Sequence, residues 1–140
     1  MKELIVPASA DELEKVQAFI GEQLDQYGCS MKDKMDIEIA VEELFVNIAY
    51  YAYKPEENGT ASIRFDASEE PLQIVIQFLD HGVPYNPLQK KDPDITMDAD
   101  ERDIGGLGIF MAKKCMDGIE YSYKDGKNIL TIMKKPGGDS

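Results

Sequence analysis

The chain has 140 residues, a length that suits one domain with a real hydrophobic core. Its 27 Asp and Glu against 15 Lys and Arg give a formal net charge of −12, which argues against a nucleic-acid ligand because the phosphates would be repelled. Hydrophobic residues make up 43% of the chain, yet no window approaches the roughly 18–20 consecutive apolar residues of a membrane span, and no basic stretch followed by an apolar one suggests a signal peptide. The expected compartment is therefore the cytoplasm, with no membrane partner. Cys29 and Cys115 form no Cys-x-x-Cys pair and imply neither a disulfide framework nor a zinc site.

Along the chain, Leu4-Ile5-Val6 reads as a short strand ending at Pro7. Ser9-Ala10-Asp11-Glu12 has the form of a capping box. Leu13, Val16, Ile20, Leu24 and Tyr27 follow at helical spacing, and Gly28 is a natural stop. Ser30 is a second N-cap, with Asp33 in the first turn, and it opens a helix from about Met31 to about Tyr53. Ile37, Val41, Leu44 and Ile48 are the core stripe of that helix. Pro55 and the turn at 56–59 end it. The period then changes. Ala61 to Ala67 alternates like a half-buried strand, and residues 68–71 read as a turn. Leu72 to Leu79 is apolar enough for a central strand.

Residues 86–104 are polar, rich in Asp and Lys, and broken by Pro87 and Pro93. So long a stretch without clear structure suggests a functional lid, with a plain surface loop as the alternative. Helical periodicity returns from Leu107 to Met116. Strands at Ile119–Tyr123 and Ile129–Met133 flank the turn Lys124-Asp125-Gly126-Lys127, which makes a hairpin. The order β-α-α-β-β-lid-α-β-β predicts an α+β fold: a two-layer sandwich with a mostly antiparallel sheet and helices packed on one face.

Three segments carry chemistry. Glu43 and Asn47 are four residues apart on a helix and share a face just off the core stripe, where a cleft could form. A carboxylate there could orient or deprotonate a hydroxyl or water, and the Asn47 amide oxygen is a hard ligand suited to Mg²⁺. Glu42 is an adjacent carboxylate, and spacing does not choose between it and Glu43. Asp80 ends an apolar strand, where it can accept from the exocyclic amine of adenine, and Gly82 permits close backbone approach. His81, the single histidine, has no second ligand nearby and reads as a loop residue. Gly105, Gly106, Leu107 and Gly108 open a helix, whose N-terminal amides and positive dipole suit phosphate. No Gly-Lys-Ser/Thr follows, so this is not a Walker A loop, and the spacing is not a dinucleotide fingerprint. Taken alone, each segment also has a plain reading: a surface Glu with a solvated Asn, a simple turn, a Gly-rich turn.

In this order the segments resemble the GHKL ATPases, the superfamily of histidine kinases, type II topoisomerases and heat-shock chaperone ATPases. Glu43-x-x-x-Asn47 is similar to the N-box, Asp80-x-Gly82 to the G1 box and Gly106-x-Gly108 to the G2 box. The helix after the G2 box and the hairpin that ends at Asn128 are similar to those of the small anti-sigma-factor serine/threonine kinases of bacterial partner-switching systems. The resemblance covers nearly the whole chain and implies a Bergerat-type ATP-binding fold. It implies ATP and Mg²⁺ as cofactors and Glu43 as catalytic base. Asn47 would be the Mg²⁺ ligand and Asp80 the adenine reader, with Gly82 giving room. Gly105, Gly106, Leu107 and Gly108 would meet the phosphates, residues 86–104 would form the lid, and Arg102 is a candidate to reach a phosphate. The implied partners are a STAS-type anti-anti-sigma protein as phosphorylation target, a sigma factor, and a second copy in a homodimer. A nucleotide-sensing module that sequesters a partner without phosphorylating it is the alternative, and a detached histidine-kinase ATPase domain a third. The chain departs from the family pattern at Tyr51, where many such kinases carry histidine, and at Pro84, where many carry glycine.

Overall fold

The structure, a computed structural model, describes residues 1–54, 57–89 and 106–136. Strand β1 spans Lys2–Pro7 and leads through a 3-10 turn, Ala10–Glu12, into helix α1, Leu13–Asp25. Helix α2 spans Met31–Tyr51, strands β2 and β3 span Thr60–Ser68 and Gln73–Asp80, helix α3 spans Gly106–Cys115, and β4 and β5 span Gly118–Lys124 and Lys127–Lys134.

Local chemistry accounts for most of these boundaries. The Ser30 side chain accepts from Asp33 N at 3.1 Å and starts α2 as expected. Ser9 behaves differently from the expected capping box: its hydroxyl accepts from Asp11 N, two residues on, so it holds the 3-10 turn, and Glu12 precedes α1 with no side-chain cap. Helix α2 stops two residues before Tyr53, whose hydroxyl is engaged outside the helix. It donates to Thr60 O and accepts from His81 N, both at 2.7 Å, pinning the α2–β2 connection to the end of β3. Residues Asp125 and Gly126 have φ of 55° and 77°, the two left-handed positions of a type I′ hairpin turn, and Lys124 pairs with Lys127 across it.

The five strands run in the order β1-β2-β3-β5-β4, each pair antiparallel. Register aligns the inward side chains in rows across the strands: Ile63 with Phe78 and Leu130, then Phe65 with Ile76 and Ile132. All three helices cover this one face. Val16, Ile20 and Leu24 of α1, Val41, Leu44 and Phe45 of α2, and Ile109 and Ala112 of α3 are buried with these rows in one core. This is the two-layer α+β sandwich that the element order predicts. The next row toward the strand ends continues the same face with Ala61, Asp80 and Asn128, so polar groups occupy positions that burial would otherwise give to apolar ones.

Candidate nucleotide site

The polar row meets the C-terminal half of α2 at a mostly apolar pocket that is open at its mouth. Leu44, Asn47, Ile48, Tyr51 and Ala52 line it from α2, Phe78 and Asp80 from β3, Tyr121 from β4, and Asn128 and Leu130 from β5. Val83, Tyr85 and Pro87 close the remaining side. Asn47 and Asp80, 33 residues apart in the chain, thus face one cavity.

Asp80 is 5% exposed. Its Oδ1 accepts from Gly82 N and from Asn128 Nδ2, both at 2.9 Å. Asn128 Nδ2 also donates to Val83 O at 2.9 Å, and Asn128 Oδ1 accepts from Tyr85 N at 3.2 Å and from the Tyr121 hydroxyl. Neither Asn128 nor Tyr121 is singled out by the motifs, although both stand in the hairpin that carries the resemblance. The signal that finds Asn128 is phase: counting back by two from Ile132 and Leu130 puts position 128 on the buried face.

Asn47 is 9% exposed, and its Oδ1 is buried with no hydrogen-bond partner among the described residues. An orphaned buried carbonyl of this kind costs about 1–3 kcal/mol unless something fills its lone pairs. A hard cation that shares its shell with phosphates fits that oxygen, so the residues present suit Mg²⁺.

Glu43 is half-buried one turn before Asn47 and lies outside the pocket lining proper. Burial pushes its carboxyl above the ordinary range, and the charge of Glu42 pushes it further. The two carboxylates have different surroundings. Glu42 Oε1 accepts from Gln17 Nε2 of α1 at 3.5 Å, while Glu43 shares the helix face of Asn47 and Tyr51.

Gly82 does supply room, but the neighbour that occupies it is the protein itself. A Cβ there would stand 2.6 Å from the Ala52 carbonyl carbon and closer still to its oxygen, which accepts from Val83 N at 3.2 Å. The loop after β3 is thereby sealed onto the end of α2. His81 is exposed, and its backbone N–H bonds to Tyr53, in keeping with a loop residue. Tyr51 lines the pocket and stacks at a tilt on Tyr85, with ring centroids 6.3 Å apart. Pro84 is exposed in the connection between them.

Gly106, Leu107 and Gly108 form the first turn of α3. The Cys115 carbonyl at the far end of α3 accepts from Lys134 Nζ, which also reaches Asp36 near the start of α2. Since α3 packs along α2, its glycine end lies about 15 Å further on, toward the Asn47 level. Gly105, Arg102 and residues 90–104 of the expected lid lie outside the described residues. Residues 86–89, expected to lack clear structure, instead begin with Asn86 Oδ1 accepting from Leu88 N at 2.9 Å and continue as a 3-10 turn, Pro87–Gln89, at the pocket rim. A short polar side chain bonding two residues ahead is what organises it.

This fold and pocket place the chain among known proteins. Residues 6–134 match the Histidine kinase-like ATPase domain, and the chain belongs to that family. It is related to the RsbW anti-sigma-factor kinases. The serine-protein kinase RsbW of Bacillus mycoides (strain KBAB4) is 28% identical over 132 residues, 91% of this chain and 81% of that protein. The serine-protein kinase RsbW of Listeria monocytogenes is 29% identical over 107 residues, 74% of this chain and 67% of that protein. The crystal structure of the RsbU and RsbW domains of Rv1364c from Mycobacterium tuberculosis is similar with a TM-score of 0.63 at 15% identity, over 97% of this chain and 33% of that longer one. The histidine kinase domain of Erythrobacter litoralis EL346 blue-light activated histidine kinase is similar with a TM-score of 0.54 at 13% identity, over 94% of this chain and 62% of that one. At such identities the solved structures speak to the fold, and they agree with the Bergerat-type sandwich.

Proposed function

We propose that the protein is a Mg-ATP-dependent serine/threonine kinase that phosphorylates a STAS-type anti-anti-sigma protein and so acts in partner switching, as a homodimer that also engages a sigma factor. The observation that carries the reading is the buried Asn47 Oδ1, without a hydrogen-bond partner among the described residues, in the same pocket as Asp80. One is an acceptor suited to a cation and the other an acceptor suited to an adenine amine, which are the two ends of an ATP complex.

Each residue has a physical task. Asp80 accepts from the 6-amino group through Oδ2, since both of its bonds from described residues fall on Oδ1. Asn47 holds Mg²⁺, which when bound neutralises the phosphate charge. The N-terminal amides of α3, freed of bulk at Gly106 and Gly108 and preceded by Gly105, donate to phosphate oxygens. Leu107 contributes its backbone N–H. Glu43 takes the proton of a serine or threonine hydroxyl as the oxygen bonds to the γ-phosphorus and the bond to the ADP oxygen breaks. Its raised carboxyl makes it a better proton acceptor than a solvated glutamate.

The test is a transfer assay with the purified full chain, Mg-ATP and a STAS-type protein from the same organism. Mass spectrometry should find one phosphoserine or phosphothreonine on the STAS protein, and Asn47→Ala should abolish it. ATP binding without any transfer would replace the kinase reading with nucleotide-controlled sequestration of the partner.

A further inference from the structure

Every hydrogen-bonding position of the Asn128 amide is filled from within the protein. Nδ2 donates to Asp80 Oδ1 and to Val83 O, both at 2.9 Å, with Gly82 O at 3.4 Å as a shared acceptor. Oδ1 accepts from Tyr85 N at 3.2 Å and from the Tyr121 hydroxyl. A primary amide has two donor hydrogens and two acceptor lone pairs. Asn128 therefore lines the pocket yet keeps nothing for a ligand. It joins the end of β3, the following loop and β4 at one buried point, 6% exposed. No other side chain of this size does the same work. An ionised aspartate has no donor, threonine has one, and leucine has none.

The consequence falls on Asp80. With Gly82 N and Asn128 Nδ2 both on Oδ1, the carboxylate cannot rotate without breaking two buried bonds. Oδ2 is held in one direction.

We propose that Asn128 sets the nucleobase specificity of this site by locking Asp80 so that Oδ2 is presented as a fixed acceptor to a 6-aminopurine. The inference rests on the nucleotide-binding reading above and deepens it. Adenine carries an amino donor at this edge, whereas guanine carries a carbonyl acceptor. A rigid acceptor bonds the first and opposes the second, and a site built to hydrogen-bond one group discriminates strongly against its absence. A carboxylate free to turn would lose part of that selection. Asn128 acts through Asp80 and is a positioning residue.

The test measures Mg-ATP and Mg-GTP binding to the full chain by calorimetry, for the wild type, Asn128→Ala, Asn128→Asp and Tyr121→Phe. The wild type should favour ATP by about a hundredfold or more. Asn128→Ala should lose about 10–100-fold in ATP affinity, with GTP affected far less, so that the preference collapses. Asn128→Asp places a second carboxylate against Oδ1, and two touching carboxylates retain one proton between them to higher pH. That proton restores the link, so ATP affinity relative to the wild type should recover about tenfold from pH 8 to pH 6. A purely structural Asn128 would weaken both nucleotides alike and show no recovery. Tyr121→Phe keeps the ring, removes one donor to Asn128, and should narrow the preference severalfold even where the harsher variants unfold. An unchanged ATP:GTP ratio in the folded variants, with the wild type binding ATP, overturns this inference and leaves the nucleotide site standing. A wild type that binds neither nucleotide overturns both.

Discussion

Glu42 and Glu43 are chemically identical neighbours with different surroundings, and that difference is the clearest residue-scale result. Glu42 is engaged by Gln17, whereas Glu43 sits above Asn47 with its carboxyl pushed up by burial first and by Glu42 second. A carboxyl whose folded-state value is raised destabilises the fold when charged. The penalty is absent below its unfolded-state value and fully present above the raised folded value. Glu43→Gln should therefore raise the urea midpoint at neutral pH and leave it unchanged in acid, while phosphoryl transfer falls by about 10²–10⁴-fold. A loss of transfer with no gain in midpoint would mean that burial of Glu43 carries no cost. At this scale the motifs placed Glu43, Asn47 and Asp80 as candidates because residue type and local phase are written in the chain. They said nothing of Asn128 as a support for Asp80, since its partners come from β3, the 82–85 loop and β4. Nor did they show that the space at Gly82 is taken by the Ala52 carbonyl.

Among the elements, α3 depends most on a contact from far away. Lys134, an inward residue at the end of β5, donates to the Cys115 carbonyl at 2.7 Å and to Asp36 Oδ2 at 3.3 Å. The ammonium satisfies a C-terminal carbonyl of α3 and its helix dipole, and it ties that end to α2. Burial pushes the Asp36 carboxyl up, but hydrogen bonds from Lys134 and Lys32 outweigh this and hold it below the ordinary range. A depressed carboxyl contributes stability above its unfolded-state value and loses it as pH falls through the folded value. Lys134→Met, which keeps the apolar stem, should cost about 1–3 kcal/mol in urea unfolding at pH 7, with the deficit shrinking in acid. A deficit that is constant with pH would assign the whole effect to the Cys115 carbonyl. The helices and the hairpin were readable from periodicity and turn residues because those features are local. The 3-10 turn at Pro87–Gln89 was not, since its organising bond from Leu88 N to Asn86 lies in a polar stretch without period.

For the whole molecule, the sandwich brings α2 and the ends of β3 and β5 together, so one ligand in the pocket would brace elements far apart in the chain. Binding to the folded state alone raises stability by mass action. Mg-ATP at a hundredfold excess over its Kd should stabilise the wild type by about 2.7 kcal/mol, read as a rise in Tm by scanning calorimetry. Asp80→Asn should show almost none of that shift at the same concentration. Equal shifts in the two proteins would place the nucleotide somewhere other than this pocket. The net charge of −12 sharpens the expectation. An acidic chain attracts ATP only where amide dipoles and a cation reverse the local field, so omitting Mg²⁺ should remove most of the gain.

The alternation of residues 61–67, the stripe from Ile37 to Ile48 and the Asp125-Gly126 turn were enough to read an antiparallel sheet with helices on one face. Backbone geometry responds to such patterns within a few residues. Motif order was enough to relate the chain to histidine kinase-like ATPases, which the match over residues 6–134 bears out. Strand order and cross-strand register have no such local source. They placed Asn128 beside Asp80 across β3 and β5, pinned the β3–β4 side of the pocket through one amide, and left Asn47 Oδ1 buried without a partner among the described residues. Those facts depend on which side chains meet across long stretches of chain, and packing of the whole core is what brings them together.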